Sequence, residues 1–484
     1  MQFEEAPQTA TLDRAIEAPA AVPPQRFLFR RILRATDVFF VCTLSIFNLN
    51  LLTITASAGF RVFWLWLLAI PCFVIPQAIA VTEITHSDPG ECGLSLWSER
   101  YLGKRIGFLS SWCYWLNNVP YVPSVLVYMV SIVAFVFPAL QGAGPHLQWI
   151  LTLLLLWGII GLNIVGFGGS GRWIRWFACS TFLVVLSVVW IGFRYGLTHY
   201  RDGIRSITGG GPSGLPSLDL QTASVFGFIC MSMIGVEIGS VFGEEINGSK
   251  AATAWAAVRG SAASLLCYLV ATAALLVGMH GAPLNSSIGL LEYVQHTVQG
   301  PGVRIAIAVL ALFILISQAG AGLCWFGAAS RMMWLCSTEG GLPRSMATLH
   351  PRWRTPLQAI VVQGVLCSVI LLLCFLGTAA QEAYLTLLDI AVVVQLLPYV
   401  AIFLGLVRHG AGRRPFQRWL FSIAGILGAV TTVFGITIAF MPSRAISNIW
   451  QYEIKLIVGC LLSVGTGFWA FSRQSSERAA AAAK

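Results

Sequence analysis

Three residues within six positions, Ser232, Gly235 and Glu237, could do chemistry in an unusual place. They lie in FGFICMSMIGVEIGSVFGEEINGSK, residues 226–250, most of which is apolar enough to sit in a bilayer. A carboxylate at the centre of a membrane segment costs about 2.5–3.5 kcal/mol on insertion scales, so Glu237 needs a partner, a proton or a water-filled cavity. It suits a gate, a proton carrier or a ligand for an ammonium group. Gly235 weakens the helix and opens its backbone, with Met231 and Ser232 one turn before it. A glycine-interrupted apolar helix holding a buried acid has the composition of a discontinuous transporter helix. The structural alternative is a packing face, with Gly235 and Gly239 four apart and Glu237 as interhelical glue.

A second polar run, Thr43, Ser45, Asn48, Asn50, Thr53, Thr55 and Ser57, studs the first apolar segment. Two interrupted helices in corresponding halves of a chain point to a transport site. Their free N–H groups suit a carboxylate and their free carbonyls an ammonium, so the chemistry served is recognition of a zwitterion. Asn117 and Asn118, followed by Pro120 and Tyr121, bring adjacent amides into a third segment, where they line a pocket or tie helices together. Asp389, with Gln395 behind it, is a further acid inside an apolar run and could share a proton with Glu237 or bind a cationic group. The seven histidines show no paired-ligand spacing and the twelve cysteines no CxxC pair, so neither a metal site nor a cofactor is expected.

Membrane-spanning helices must position these groups. Charged residues make up 10% of the chain, against about 25% in soluble domains. A helix crosses a bilayer with about 20 apolar residues. Twelve such runs lie near 37–59, 62–83, 107–137, 147–167, 173–195, 220–243, 254–280, 304–334, 355–377, 382–407, 418–440 and 452–472. With the N-terminus inside, 23 of the 30 Lys and Arg residues fall on the inner side, which places both termini in the cytoplasm. The net charge of +10 is spread over short loops and so reports topology, not a nucleic-acid partner. The expected organisation is a basic, disordered cytoplasmic tail at 1–34, a ten-span core at 35–410, two further spans at 411–475 and a cytoplasmic tail at 476–484. No cleavable signal peptide is expected before the first run. Residues 196–219 read as an outer loop that could fold over a vestibule, and 281–303 as a connection with room for a short external helix.

Three patches in order resemble the amino acid–polyamine–organocation superfamily of transporters, over roughly residues 35–475. The first is Ile234-Gly235-Val236-Glu237 followed by Glu244-Glu245-Ile246-Asn247, similar to the family's sixth helix. The second is Pro89-Gly90-Glu91-Cys92-Gly93 with Trp97 and Gly103, similar to the loop before the third helix, with Cys92 in place of a glycine. The third is Arg331-Met332-Met333 through Glu339-Gly340-Gly341-Leu342-Pro343, with His350-Pro351 and Thr355-Pro356, similar to the connection between the eighth and ninth helices. The resemblance implies an all-α membrane protein with a LeuT-like fold: spans 1–5 and 6–10 as inverted repeats, two appended spans, and helices 1 and 6 discontinuous. The likeness is nearest to the arginine/agmatine and glutamate/GABA exchanger branches, the first of which also reads IGVE here. It implies that Glu237 is a gate. It also implies that Trp325, placed by its distance from Pro343, contacts the substrate. Where the family carries a Gly-x-Gly break in its first helix, this chain has Asn48-Leu49-Asn50. One proton-coupled branch carries a lysine in its fifth helix; here that span has only Arg172 and Arg175 near its inner end.

The expected function is secondary-active transport of amino acids across the plasma membrane by alternating access, as an exchanger. The site expected for the substrate comprises Ser45, Asn48, Asn50, Asn117, Asn118, Tyr121, Met231, Ser232, Gly235, Trp325 and Asp389, gated by Glu237. A polyamine or organic-cation carrier, a proton-coupled symporter and a non-transporting amino acid sensor are the alternatives. An enzyme would show His/Asp/Cys clusters at one membrane face, which the sequence lacks. Expected partners are an amino acid or amine and membrane lipid; a homodimer is compatible with this reading, and no nucleic acid is expected.

Overall fold

The computed structural model describes residues 29, 33–87, 93–142, 144–166, 171–199, 220–279, 284–338, 342–375, 380–441 and 449–482. Most of the N-terminal tail, loop residues 200–219, and motif residues 89–92 and 339–341 lie outside the described residues. Away from water every backbone N–H and C=O must be satisfied within its own segment, and the apolar runs accordingly fold as helices. The first is split into α1 (Ala35–Ile46) and α2 (Leu49–Ala56). Next come α3 (Val62–Ala69) and α4 (Ile75–Ser87), joined by a π-helical turn, then α5 (Gly93–Leu102) and α6 (Lys104–Val136). The short α7 (Pro138–Gly142) leads to α8 (Gly144–Val165) and α9 (Gly171–Thr198). The second interrupted segment is α10 (Leu220–Ser232) and α11 (Ile238–Val241), followed by α12 (Lys250–Met279). A helix within the 281–303 connection, α13 (Gly289–Thr297), precedes α14 (Val303–Thr338) and α15 (Leu357–Phe375). The chain closes with α16 (Ala380–Gly410), α17 (Pro415–Ala439) and α18 (Ile449–Ala482), the last running into the segment expected to be a tail.

Among the described residues, nine helices are long and apolar enough to cross a membrane, ten if α1 and α2, bent by 45°, form one span. The twelve spans expected from the sequence are not reached on that measure. The two runs left over are the interrupted α10–α11 and α15, whose apolar stretch Leu357–Leu372 is short. Burial separates centre from rim: α6 and α16 are 78% and 72% buried over their apolar windows, against 28% for α8 and 22% for the last span. On the rim, Leu154, Trp157, Leu186, Trp190, Leu266, Leu461 and Trp469 face outward. So much contiguous apolar surface calls for lipid around it.

At the end of the bundle richest in basic residues, β1 (Leu33–Arg34) pairs in parallel with β2 (Ile246–Asn247). This pairing ties the start of α1 to the exit from α11. Buried Asp37 accepts from the Arg34 N–H at 2.9 Å and from Arg175 Nε at 3.1 Å. Arg331 of α14 donates through Nε to Glu245 at 2.6 Å and lies 4.4 Å over the Phe242 ring. Four segments distant in sequence are therefore fastened beneath the two helix interruptions.

Candidate functional site

The two interruptions face each other. Gly235 has φ +127°, a conformation that side-chain-bearing residues rarely adopt. A Cβ there would also lie 3.1 Å from the Ser45 backbone and from Ile46. Glycine therefore serves both the turn between α10 and α11 and its close approach to the end of α1. Around it, Ile234 N–H reaches Met231 O and Ile238 N–H reaches Gly235 O, so the chain crosses the gap in tight turns rather than helix.

The first interruption spans Phe47 and Asn48 and is held by side chains. Tyr268 of α12 accepts from the Asn48 N–H at 2.9 Å and donates to Ile46 O at 3.0 Å. Asn48 Nδ2 turns back to Ser45 O at 2.8 Å. The same carbonyl receives the Trp325 indole N–H at 3.0 Å. Backbone freed by the break is thus capped by a tyrosine, an asparagine and a tryptophan, as buried polar backbone requires. Tyr121 packs edge-on against Trp325 with ring centroids 5.6 Å apart, and the Tyr114 ring lies tilted 6.0 Å from the same indole.

Glu237 is fully buried at the entry to α11. Its Oε2 accepts from the Gly235 N–H at 3.0 Å and from the Tyr399 hydroxyl of α16. Gln77 of α4 donates to that hydroxyl at 3.1 Å, and Tyr114 reaches toward the same carboxyl group. One carboxyl therefore joins α4, α6, α11 and α16. No residue of this group is basic, so Glu237 is met by hydroxyl and amide donors and not by an ion pair.

The other sequence candidates divide. Ser45, Asn48, Tyr121, Gly235 and Trp325 converge on the junction. Met231 and Ser232 are buried at the end of α10, and Ser232 Oγ donates back to Ile229 O at 2.7 Å. Asn50 lies in the first turn of α2, its Oδ1 3.4 Å from Gln318 Nε2 of α14. Asn117 and Asn118 are fully buried on α6 between Tyr114 and Tyr121, and Asn118 Nδ2 donates to Tyr114 O at 3.0 Å. Asp389 is not brought to Glu237. It is buried, and it accepts from Tyr452 of α18 at 2.8 Å. Ten residues along α16 separate it from Tyr399, about 15 Å at 1.5 Å per residue.

Tyr268, Tyr399, Tyr114 and Gln77 were not singled out in the sequence. Their only signal was a polar tip in an apolar run, which most membrane tyrosines share. Among the described residues no group of three or more His, Cys, Asp or Glu side chains could hold a metal ion.

Known proteins place this architecture. A curated transporter of Legionella pneumophila, uncharacterised, is 21% identical over 93% of this chain and 98% of its own length. From Lactococcus lactis, "Probable agmatine/putrescine antiporter AguD" is 21% identical over 78% of each chain. The glutamate/gamma-aminobutyrate antiporter of the same species is 20% identical over 79% of this chain and 78% of its own. The structure of MhsT in complex with L-phenylalanine superposes with a TM-score of 0.59 at 11% identity, covering 90% of this chain and 99% of that one, so the LeuT-like fold is shared. A model of the family described as "Amino acid permease" matches residues 36–463. This chain is a multi-pass membrane protein of the amino acid permease family, within the amino acid–polyamine–organocation superfamily.

Proposed function

We propose that the chain exchanges amino acids across the plasma membrane by alternating access, with the substrate's backbone seated where the two helix interruptions meet. The observation that carries this reading is the abutment of Gly235 on Ser45 beneath the Trp325 indole. Half-helix ends there offer N–H groups for a carboxylate and carbonyls for an ammonium. Ser45 O already takes donors from Asn48 and Trp325, so an arriving ammonium competes with the indole for it. Trp325 is then the lid that moves when substrate binds. Glu237 is the gate on the route, since its bond to Tyr399 fastens the second interruption to α16. Exchange, rather than simple uptake, is supported by the antiporter names of the two Lactococcus relatives.

Purified protein in proteoliposomes tests this with a panel of radiolabelled amino acids and amines, with and without unlabelled substrate inside. Uptake that needs internal substrate supports exchange. Uptake into empty vesicles driven by a pH gradient identifies a symporter instead. Binding without flux, in vesicles where a known transporter works, rejects transport in favour of a sensor. An amine outcompeting every amino acid would favour the amine carriage named for one relative.

A further inference from the structure

Buried amides stand on α6 and α16 near the junction: Asn117 and Asn118, expected from the sequence to line the site but given no role above, and Gln395. α6 and α16 run antiparallel: Tyr101, just before α6, meets His409 near the end of α16, while Tyr114 and Tyr399 converge on Glu237 further in. One turn beyond Tyr114 stands Asn117, and one turn beyond Tyr399, in the same direction, stands Gln395. Spacings of three and four residues keep each amide on the face of its tyrosine. At 1.5 Å per residue the two lie at about the same level, some 4.5–6 Å past Glu237's partners. Tyr114 and Tyr121, which bracket Asn117, both pack against Trp325.

Asn117, Asn118 and Gln395 are all fully buried. Both polar atoms of Asn117, both of Gln395, and Oδ1 of Asn118 lack a hydrogen-bond partner among the described residues. Such atoms lose their water on folding and gain nothing back, so native proteins keep few of them without a use. Each helix also carries a proline three residues on, Pro120 and Pro398. A proline cannot donate to the carbonyl four residues before it, so Leu116 O and Val394 O lose their helical partner beside the amides. This band of amides and carbonyls therefore offers donors and acceptors together.

We propose that this band is the side-chain subsite of the transported molecule, and that it selects a primary carboxamide, as in glutamine or asparagine. The inference rests on the amino acid transport reading above. A cation only donates and would leave the amide N–H groups unmet. The neighbouring carboxylates are engaged, Glu237 by Tyr399 and Gly235, and Asp389 by Tyr452. An anion only accepts and would face the amide and backbone carbonyls, while the basic residues of these helices, Lys104, Arg105, Arg408 and their neighbours, sit at the helix ends. An apolar side chain would leave every one of these atoms unpaired. A carboxamide presents two donors and an acceptor, the complement of the band.

Competition against exchange in wild-type proteoliposomes tests the inference, with glutamine, asparagine, norleucine, lysine and glutamate as competitors. Glutamine or asparagine is expected to compete at least about 10-fold better than the other three. Asn117→Leu and Gln395→Leu are expected to shrink that preference by about 10-fold. Their melting temperature without substrate should stay level or rise, because leucine keeps much the same shape and needs no partner. Exchange in which lysine, glutamate or norleucine competes best overturns the subsite and leaves the transport reading standing. A lowered melting temperature with unchanged preference also overturns it, since the amides would then be interhelical ties. No competition by any of the five likewise overturns the subsite, whereas no exchange with any amino acid or amine of the wider panel rejects the transport reading, and the subsite falls with it.

Discussion

Glu237 shows how one residue ties the proposed gate to packing. Its carboxyl satisfies the Gly235 N–H and the Tyr399 hydroxyl at once. Glu237→Ala strands both groups in the interior, each at about 1–3 kcal/mol. Glu237→Gln keeps an acceptor for both. Exchange is expected to be lost in Glu237→Ala and partly retained in Glu237→Gln, measured in proteoliposomes on protein that still elutes as a single species. Equal activity in Ala and wild-type protein would remove the gate role. Gly235→Ala is expected to cost about 1–3 kcal/mol of strain at its positive φ, and more where the new methyl meets Ser45, read as a lower melting temperature in detergent. Glu237 and Gly235 were legible in the sequence because a charge and a glycine are conspicuous among apolar residues. Tyr399 and Tyr268 were not, because the hydroxyl's value depends on a neighbour 162 or 220 positions away.

Among the elements, the fastening at the basic end joins α1, the exit from α11 and α14. Glu245 and Arg331 are both nearly buried and bonded to each other, while β1 and β2 hold α1 to the segment after α11. Removing one partner of a buried ion pair typically costs about 3–5 kcal/mol, because the other charge stays buried. Arg331→Ala is therefore expected to melt well below wild type, whereas a double variant, Arg331→Met with Glu245→Leu, should recover much of the loss. A double variant no better than the single one would mean that the arginine acts through Phe242 stacking instead. The long helices could be placed from hydropathy alone, since each needs only its own apolar run. Asp389 shows the limit of that method: its apolar run put it inside a helix, but only three-dimensional packing turns it toward Tyr452. The unpartnered amides were visible as residues, while their alignment across α6 and α16 was not, because antiparallel register between distant helices leaves no mark in local sequence.

The whole molecule is a bundle with an apolar rim and a polar seam. Its basic residues predict both termini in the cytoplasm. A fluorescent protein fused after Lys484 should fluoresce in intact bacterial cells, and an alkaline phosphatase fusion at the same point should be inactive; the reverse pattern would invert the proposed orientation. The central claim is that substrate sits where the two interrupted helices meet. The most direct test is a density map of the protein saturated with the amino acid that exchanges fastest. Density for that amino acid is expected between Ser45–Asn48 and Met233–Glu237, with the Trp325 indole moved off the Ser45 carbonyl. A bound amino acid elsewhere in the bundle, with Trp325 still bonded to Ser45, would contradict it.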